Sequence, residues 1–290
     1  MIGIGNKMIL RKQTVIEVGS QVWNIWLIDR KSQIIDRSQL VVPSDTLWHP
    51  EAMAQLICDL YIKGRLFFLI NSQQTITRIK SAVISDVGLS DVGLSDVRRT
   101  FGMNYTYGEV DVKGATWVTA IPSEIPNSIV EMCRIRGIHS NRICTIDTLE
   151  YRMSCHISDF KLNHYNIEQE KPCWLLIPQA SGIRLVHMED GAPAGCFYLS
   201  NDPDFRIHEL ERIFNHLGKP PKSVYIMNSM RKSPGRAAAT DGTDFELNHS
   251  SHEDYLWLRH ILQERSVHVI DENVCRKIKE DMLENWVRTY

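Results

Sequence analysis

The chain has 290 residues, of which 43% are hydrophobic and 23% charged, with a net charge of −2. That composition excludes a disordered chain and allows one large domain or two ordinary ones with proper cores. The near-neutral balance gives no general electrostatic case for nucleic acid or an anionic membrane, and no run approaches the roughly 20 apolar residues of a bilayer-spanning helix.

The start of the chain, Met1 to Met8, lacks the apolar core and small-residue cleavage site of a signal peptide. The first clear element is an apolar run over 14–18, a Gly19-Ser20 turn and a second apolar run over 22–28. Strand, small-residue turn, strand is a hairpin signal, and strands apolar on both faces belong in a sheet covered on both sides. The plan recurs at 172–188, around Pro178-Gln179-Ala180-Ser181-Gly182. Phosphate-binding turns place a carboxylate and glycine where backbone N–H groups approach the anion. The first turn keeps Glu17, Gly19 and Ser20, whereas the second has no acid at all.

A third strand is expected over 32–42, a helix over 47–62 and a short apolar strand over 66–70. Residues 72–114 change character and read as a small inserted subdomain. Within it, Ser85-Asp86-Val87-Gly88-Leu89 begins a tandem five-residue repeat that continues to Val97. Five fits neither the strand nor the helix period, so the repeat reads as a duplicated loop before a helix capped by Ser95. Calcium binding by Asp86, Asp91 and Asp96 is disfavoured, because no calcium-loop spacing is present.

The main pattern is expected to resume with a strand over 115–121, followed by a helix over 123–136 that Gly137 closes. A strand over 143–146 and a helix over 149–155 follow. A polar link over 158–171 then leads to strands over 173–177, 183–188 and 194–199. A helix over 205–217, a strand over 223–227, a loop-like stretch over 229–252, a helix over 254–263, a strand over 267–270 and a polar helix over 274–286 complete the chain. Each half is thus β-β-β-α-β-α, which predicts an α/β fold of actin-like, ribonuclease H-like type. The expected division is a first lobe over 1–157, with 72–114 inserted, and a second lobe over 158–290.

Other motifs carry weaker signals. His249 and His252 with Glu253 and Asp254 offer zinc-type ligands, but an i, i+3 pair in a loop is common by chance. Arg231-Lys232-Ser233-Pro234-Gly235-Arg236 reads as a solvated basic loop, and His208-Glu209 as a helix face. No nucleophile elbow, P-loop or G-x-G-x-x-G is present. Seven scattered cysteines without a C-x-x-C read as reduced thiols, and no metal site is expected.

From about residue 14 to 271 the order of elements resembles the PilM family, the actin-like cytoplasmic proteins of type IV pilus machines. The cytoplasmic domain of GspL-like type II secretion proteins is a close cousin. The resemblance rests on Glu17-Val18-Gly19-Ser20, Thr77-Arg78, Leu94 to Arg99, 117–122, 129–138, 143–146 and Asp147-Thr148-Leu149-Glu150. It implies a nucleotide site at Glu17, Gly19, Ser20, Asn228 and Ser229. The sequence departs from that site in one direction. Glu17 stands for Asp, Asn24 stands for a lysine, and Asn228-Ser229 replace a glycine pair. Pro178 removes an N–H donor from the second turn.

The expectation is therefore a cytoplasmic scaffold with a degenerate site, peripheral to the inner face of the cell membrane, with no resident cofactor or at most weak Mg-ATP. Its implied partner is the cytoplasmic tail of an inner-membrane pilus or secretion subunit, with a secretion ATPase complex as a further partner and no nucleic acid. The tail is expected near 72–120, at the aromatic residues Phe101, Tyr105, Tyr107 and Trp117. The alternative is an active ATPase or small-molecule kinase of the actin/hexokinase/Hsp70 class, with Glu17 or Asp147 handling metal and water.

Overall fold

Alternation along the strands determines the architecture. In a strand successive side chains point to opposite faces, so odd and even positions sort into separate layers. In β1 (Gln13–Gly19) Ile16 and Val18 face one way and Val15 and Glu17 the other. The computed structural model describes residues 13–20, 22–43, 49–59, 65–72, 74–81, 102, 104–112, 115–138, 140–150, 172–179, 182–189, 192–200, 202–217, 221–227, 266–270 and 272–289. Expectations at the five-residue repeat, Phe101, the link over 158–171, Asn228, Ser229 and 229–263 lie outside them.

The first sheet has the order β3-β2-β1-β4-β8. Its members are β1, β2 (Val22–Ile28), β3 (Ile34–Val41), β4 (Arg65–Asn71) and β8 (Ser140–Thr145). β1 to β3 form the expected antiparallel meander, and β4 and β8 join in parallel. Helices α1 (Pro50–Asp59) and α2 (Glu124–Arg136) cover the outer face, where Ile16, Val18, Phe68 and Ile70 pack with Met53, Ile57, Ile125 and Ile129. α2 stops at Gly137, whose φ of 61° is the left-handed value expected of a closing glycine.

The second sheet repeats the plan as β11-β10-β9-β12-β13. It comprises β9 (Cys173–Gln179), β10 (Gly182–Glu189), β11 (Ala192–Ser200), β12 (Ser223–Met227) and β13 (Ser266–Ile270). Helix α3 (Pro203–Leu217) covers its outer face, packing Leu210 and Ile213 on Trp174, Leu176 and Val224. β12 pairs with β9 only as far as Leu176, so Pro178 sits where its missing N–H breaks no ladder on that side.

Both inner faces share one apolar core. Val15, Trp26, Phe67 and Leu69 of the first sheet meet Leu175, Ile177, Val186 and Tyr225 of the second. The C-terminal helix α4 (Glu272–Thr289) joins them with Ile278, Met282, Leu283, Trp286 and Val287. Trp286 stands edge-on to Phe67, with ring centroids 5.3 Å apart. Each such large side chain, fully buried, contributes about 1.5–3 kcal/mol.

One expectation is corrected here. The strand expected over 115–121 does not join the first sheet. As β7 (Ala115–Pro122) it is the central strand of a separate three-stranded sheet, between β5 (Ile76–Ser81) and β6 (Tyr105–Val112). Its apolar alternation is satisfied there: Val118 and Ala120 pack with Ile76, Tyr105 and Tyr107. β5 runs beside β11 of the second sheet. A smaller correction concerns the helix after β8, which begins at 146, so that Asp147 lies in its first turn.

Candidate functional site

The two halves are built in the same register. Gln13 of β1 corresponds to Cys173 of β9, and Val22 of β2 to Gly182 of β10. Glu17 pairs across its hairpin with Asn24, and the corresponding pair in the second half is Ile177 with Arg184. Strand parity turns all four side chains toward the shared interior. The same position in each hairpin therefore carries an acid in one half and an apolar residue in the other, and its partner changes from an amide to a guanidinium.

Glu17 is 4% exposed and fully partnered. Its Oε1 accepts a hydrogen bond from Asn71 Nδ2 at 2.7 Å. Its Oε2 accepts from Asn24 Nδ2 at 3.1 Å and from Lys279 Nζ at 2.8 Å. Lys279 comes from α4, far along the chain, and its ammonium also lies 5.1 Å from the centre of the Trp26 ring. Burial by itself raises the Glu17 carboxyl, but the charge of Lys279 and the donors of Lys279, Asn71 and Asn24 together hold it below its ordinary value. Asn24 in turn accepts from Gln39 Nε2 at 3.0 Å, so the amide that donates to Glu17 is itself oriented.

The second acid expected to face a nucleotide, Asp147, is fully buried and pairs with the Arg184 guanidinium. Arg184 Nε lies 2.8 Å from Glu150 Oε2, and Thr77 Oγ1 donates to Asp147 Oδ1 at 3.2 Å. All of these side chains except Thr77 are nearly inaccessible to water. Burial pushes the Asp147 carboxyl up against the opposing pull of Arg184, while Asp147 and Glu150 together raise Arg184 despite its own burial. The Cys196 thiol beside them is pushed up to about 12, chiefly by burial. Sequence reasoning had considered Asp147 only for metal and water handling and missed Arg184 and Lys279 altogether. The signal available was the isolated base Arg184 inside the apolar run 183–188; Lys279, with Arg276 and Lys277 beside it, had none.

A Mg-phosphate group does not fit this arrangement. A carboxylate that receives three donors, one of them an ammonium, has no free charge to offer a cation, and Asp147 is likewise neutralised by its arginine. Gly19 is required by packing at the turn, since a Cβ there would lie 2.7 Å from the carbonyl oxygen of Val22. Ser20 is exposed at the same turn. Among the described residues no group of three or more His, Cys, Asp or Glu is placed to hold a metal ion.

Of the aromatics expected at a partner surface, Trp117 is the one corrected. Trp117 is fully buried and so presents no surface to a partner. Tyr105 and Tyr107 are half-buried against Val118 and Ala120, and Tyr107 Oη donates to the carbonyl of Gly102 at 2.7 Å. They are in large part the small sheet's own core, because a three-stranded sheet this short has few other residues to fill it.

No protein-family model matches the chain, nor does any curated protein sequence. Solved structures do. A protein from Bacteroides thetaiotaomicron VPI-5482, described as having an actin-like ATPase fold and unknown function, matches with a TM-score of 0.61 at 10% identity, over 98% of this chain and 99% of that one. The PilM–PilN type IV pilus biogenesis complex matches with a TM-score of 0.54 at 9% identity, over 94% of each chain. The cytoplasmic domain of EpsL, an inner-membrane component of the type II secretion system of Vibrio cholerae, gives 0.44 at 8% identity over 74% of this chain and 81% of that one, too distant to bear on the argument. Among the described residues no helix is long and apolar enough to cross a membrane. At these identities the likeness establishes architecture alone: the chain has an actin-like ATPase fold.

Proposed function

We propose that this chain is a cytoplasmic scaffold of a type IV pilus or type II secretion inner-membrane complex, which binds the cytoplasmic tail of a membrane subunit and does not turn over nucleotide. The observation that carries the reading is the state of the two acids. Glu17 and Asp147, which the sequence resemblance and its enzyme alternative assign to metal and phosphate, are both held in ion pairs by bases from the opposite half. With that chemistry unavailable, the fold's remaining asset is its surface. Among the described residues β6 has a sheet neighbour on one side only, and we take that edge as the seat of the tail. Extended peptides bind such edges by backbone pairing with apolar anchors. The likeness to the PilM–PilN complex supports the reading at the level of fold.

Isothermal titration with the cytoplasmic tail of the membrane protein encoded beside this gene tests the proposal, and absence of heat together with failure to co-purify sinks it. A thermal shift with Mg-ATP tests the enzyme alternative. Ligand at 100 times its Kd adds about 2.7 kcal/mol, so an unchanged melting temperature at millimolar Mg-ATP is the expected result. A clear shift that Glu17→Ala abolishes would instead return Glu17 to a nucleotide site and favour the alternative of an ATPase or kinase of this fold.

A further inference from the structure

The groups around Arg184 come from separate parts of the fold. Thr77 lies on β5 of the small sheet, and Asp147 and Glu150 lie in the helical turn that follows β8 of the first sheet. Arg184 lies on β10 and Cys196 on β11, both in the second sheet. One carboxylate oxygen, Asp147 Oδ1, receives both the Thr77 hydroxyl and the Arg184 guanidinium. Because β5 also runs beside β11, the small sheet is joined to the second sheet at the place where the second sheet is joined to the first.

We infer that Arg184 is a pin that couples the position of the small sheet to the closure of the two halves, so that the small sheet cannot shift without loosening the interface between the five-stranded sheets. The physical reason is the cost of separating this cluster. Asp147, Glu150 and Arg184 are buried, and parting them strands uncompensated charge in a dry interior, so the groups move together or not at all. The Lys279–Glu17 pair lacks this property. It joins α4 to β1, is reached by solvent from the lysine side, and has no partner in the small sheet among the described residues. It is the natural control.

Amide hydrogen exchange followed by mass spectrometry on the full chain reads the coupling, since it reports local opening element by element. Arg184→Met is expected to raise exchange by about tenfold or more, and by similar factors, in β5, in residues 146–150 and in β10–β11. Lys279→Met is expected to raise it in α4 and β1–β2 while leaving β5 at wild-type protection. A rise for Arg184→Met confined to β10–β11, or the same pattern from both variants, overturns the inference. If Arg184→Met does not fold, the triple variant Asp147→Asn, Glu150→Gln, Arg184→Met removes the stranded charges as well as the pin. A joint rise in β5 and 146–150 supports the coupling there too, and wild-type protection in β5 overturns it.

Discussion

The two hairpins that begin the two halves share a backbone plan and divide the charge between them. The first turns Glu17 and Asn24 inward; the second turns Ile177 and Arg184 inward. Where such a fold closes on a charged ligand, both inward positions have to leave room and charge for it. Here the acids of the first half meet bases of the second, and the apolar residues around them form one continuous core. The difference teaches that a duplicated fold can divide opposite charges between its two copies, so that the second supplies the countercharge to the first.

The strongest way to break this comparison is to remove the countercharge where burial is deepest. Arg184→Met leaves Asp147 and Glu150 uncompensated and is expected to cost about 3–5 kcal/mol in chemical denaturation. The triple variant with Asp147→Asn and Glu150→Gln is expected to recover most of that loss, since well-packed neutral groups replace buried ion pairs at little cost. If the single and triple variants were equally unstable, the loss would come from packing and not from charge.

The glycines at the two turns sharpen the comparison at smaller cost. A Cβ on Gly182 would collide with the carbonyl oxygen of Leu199 and the Tyr198 ring, and one on Gly19 would press on the Val22 carbonyl. Gly182→Ala is expected to lose about 1–3 kcal/mol, the usual range for overpacking, with Gly19→Ala at the lower end. Thermal unfolding of the two variants side by side checks the order.

Lys279→Met tests the more exposed clasp, with an expected loss of about 1–3 kcal/mol at neutral pH. Its pH dependence has a defined sign. The folded value of Glu17 lies below the ordinary 4.5, so the stability it contributes is present above 4.5 and is lost as pH falls through the lower folded value. The gap between wild type and Lys279→Met should therefore be full near neutrality and close in acid. A gap that stays constant down to the acid limb would remove Glu17 from the account. The smallest expected effect is Tyr107→Phe, which deletes the hydroxyl bond to Gly102 and should cost about 0.5–1.5 kcal/mol. A loss outside that range in urea unfolding would show that Tyr107 is anchored by something else.

Much of the fold was legible because its signals are local. The double hairpin, the apolar strand at 66–70 and the glycine closing α2 are each written within a few residues, and the structure has β1–β2, β4 and Gly137 where those signals lie. β7 was misassigned because its alternation is equally good in either sheet. Only pairing with β5 and β6, which depends on strands distant in sequence, decides between them. The site was half legible. Glu17 and Asp147 stood out as acids beside turns, but what holds them comes from Arg184 and Lys279. Nothing near Lys279 in the sequence marks it, and α4 reads as an ordinary polar helix until its position against β1 is known. Trp117 failed for a related reason: an aromatic in a polar stretch looks exposed, whereas in β7 it is fully buried.

Helix α4 carries a consequence for the order in which the chain becomes itself. Lys279 and Glu17 are 262 residues apart, Glu280 meets Arg37 at 2.7 Å, and Glu284 accepts the backbone N–H of Ile34. The earliest strands described here are thus completed by the latest helix. On a ribosome the inner face of the first sheet, with Val15, Trp26 and Phe67, emerges long before its cover is synthesised. Contacts this distant form slowly, and apolar surface left waiting is prone to association with other chains. A nascent chain of this protein therefore passes through a stage in which that apolar face is bare, and it lasts until the second sheet and α4 have been made to cover it.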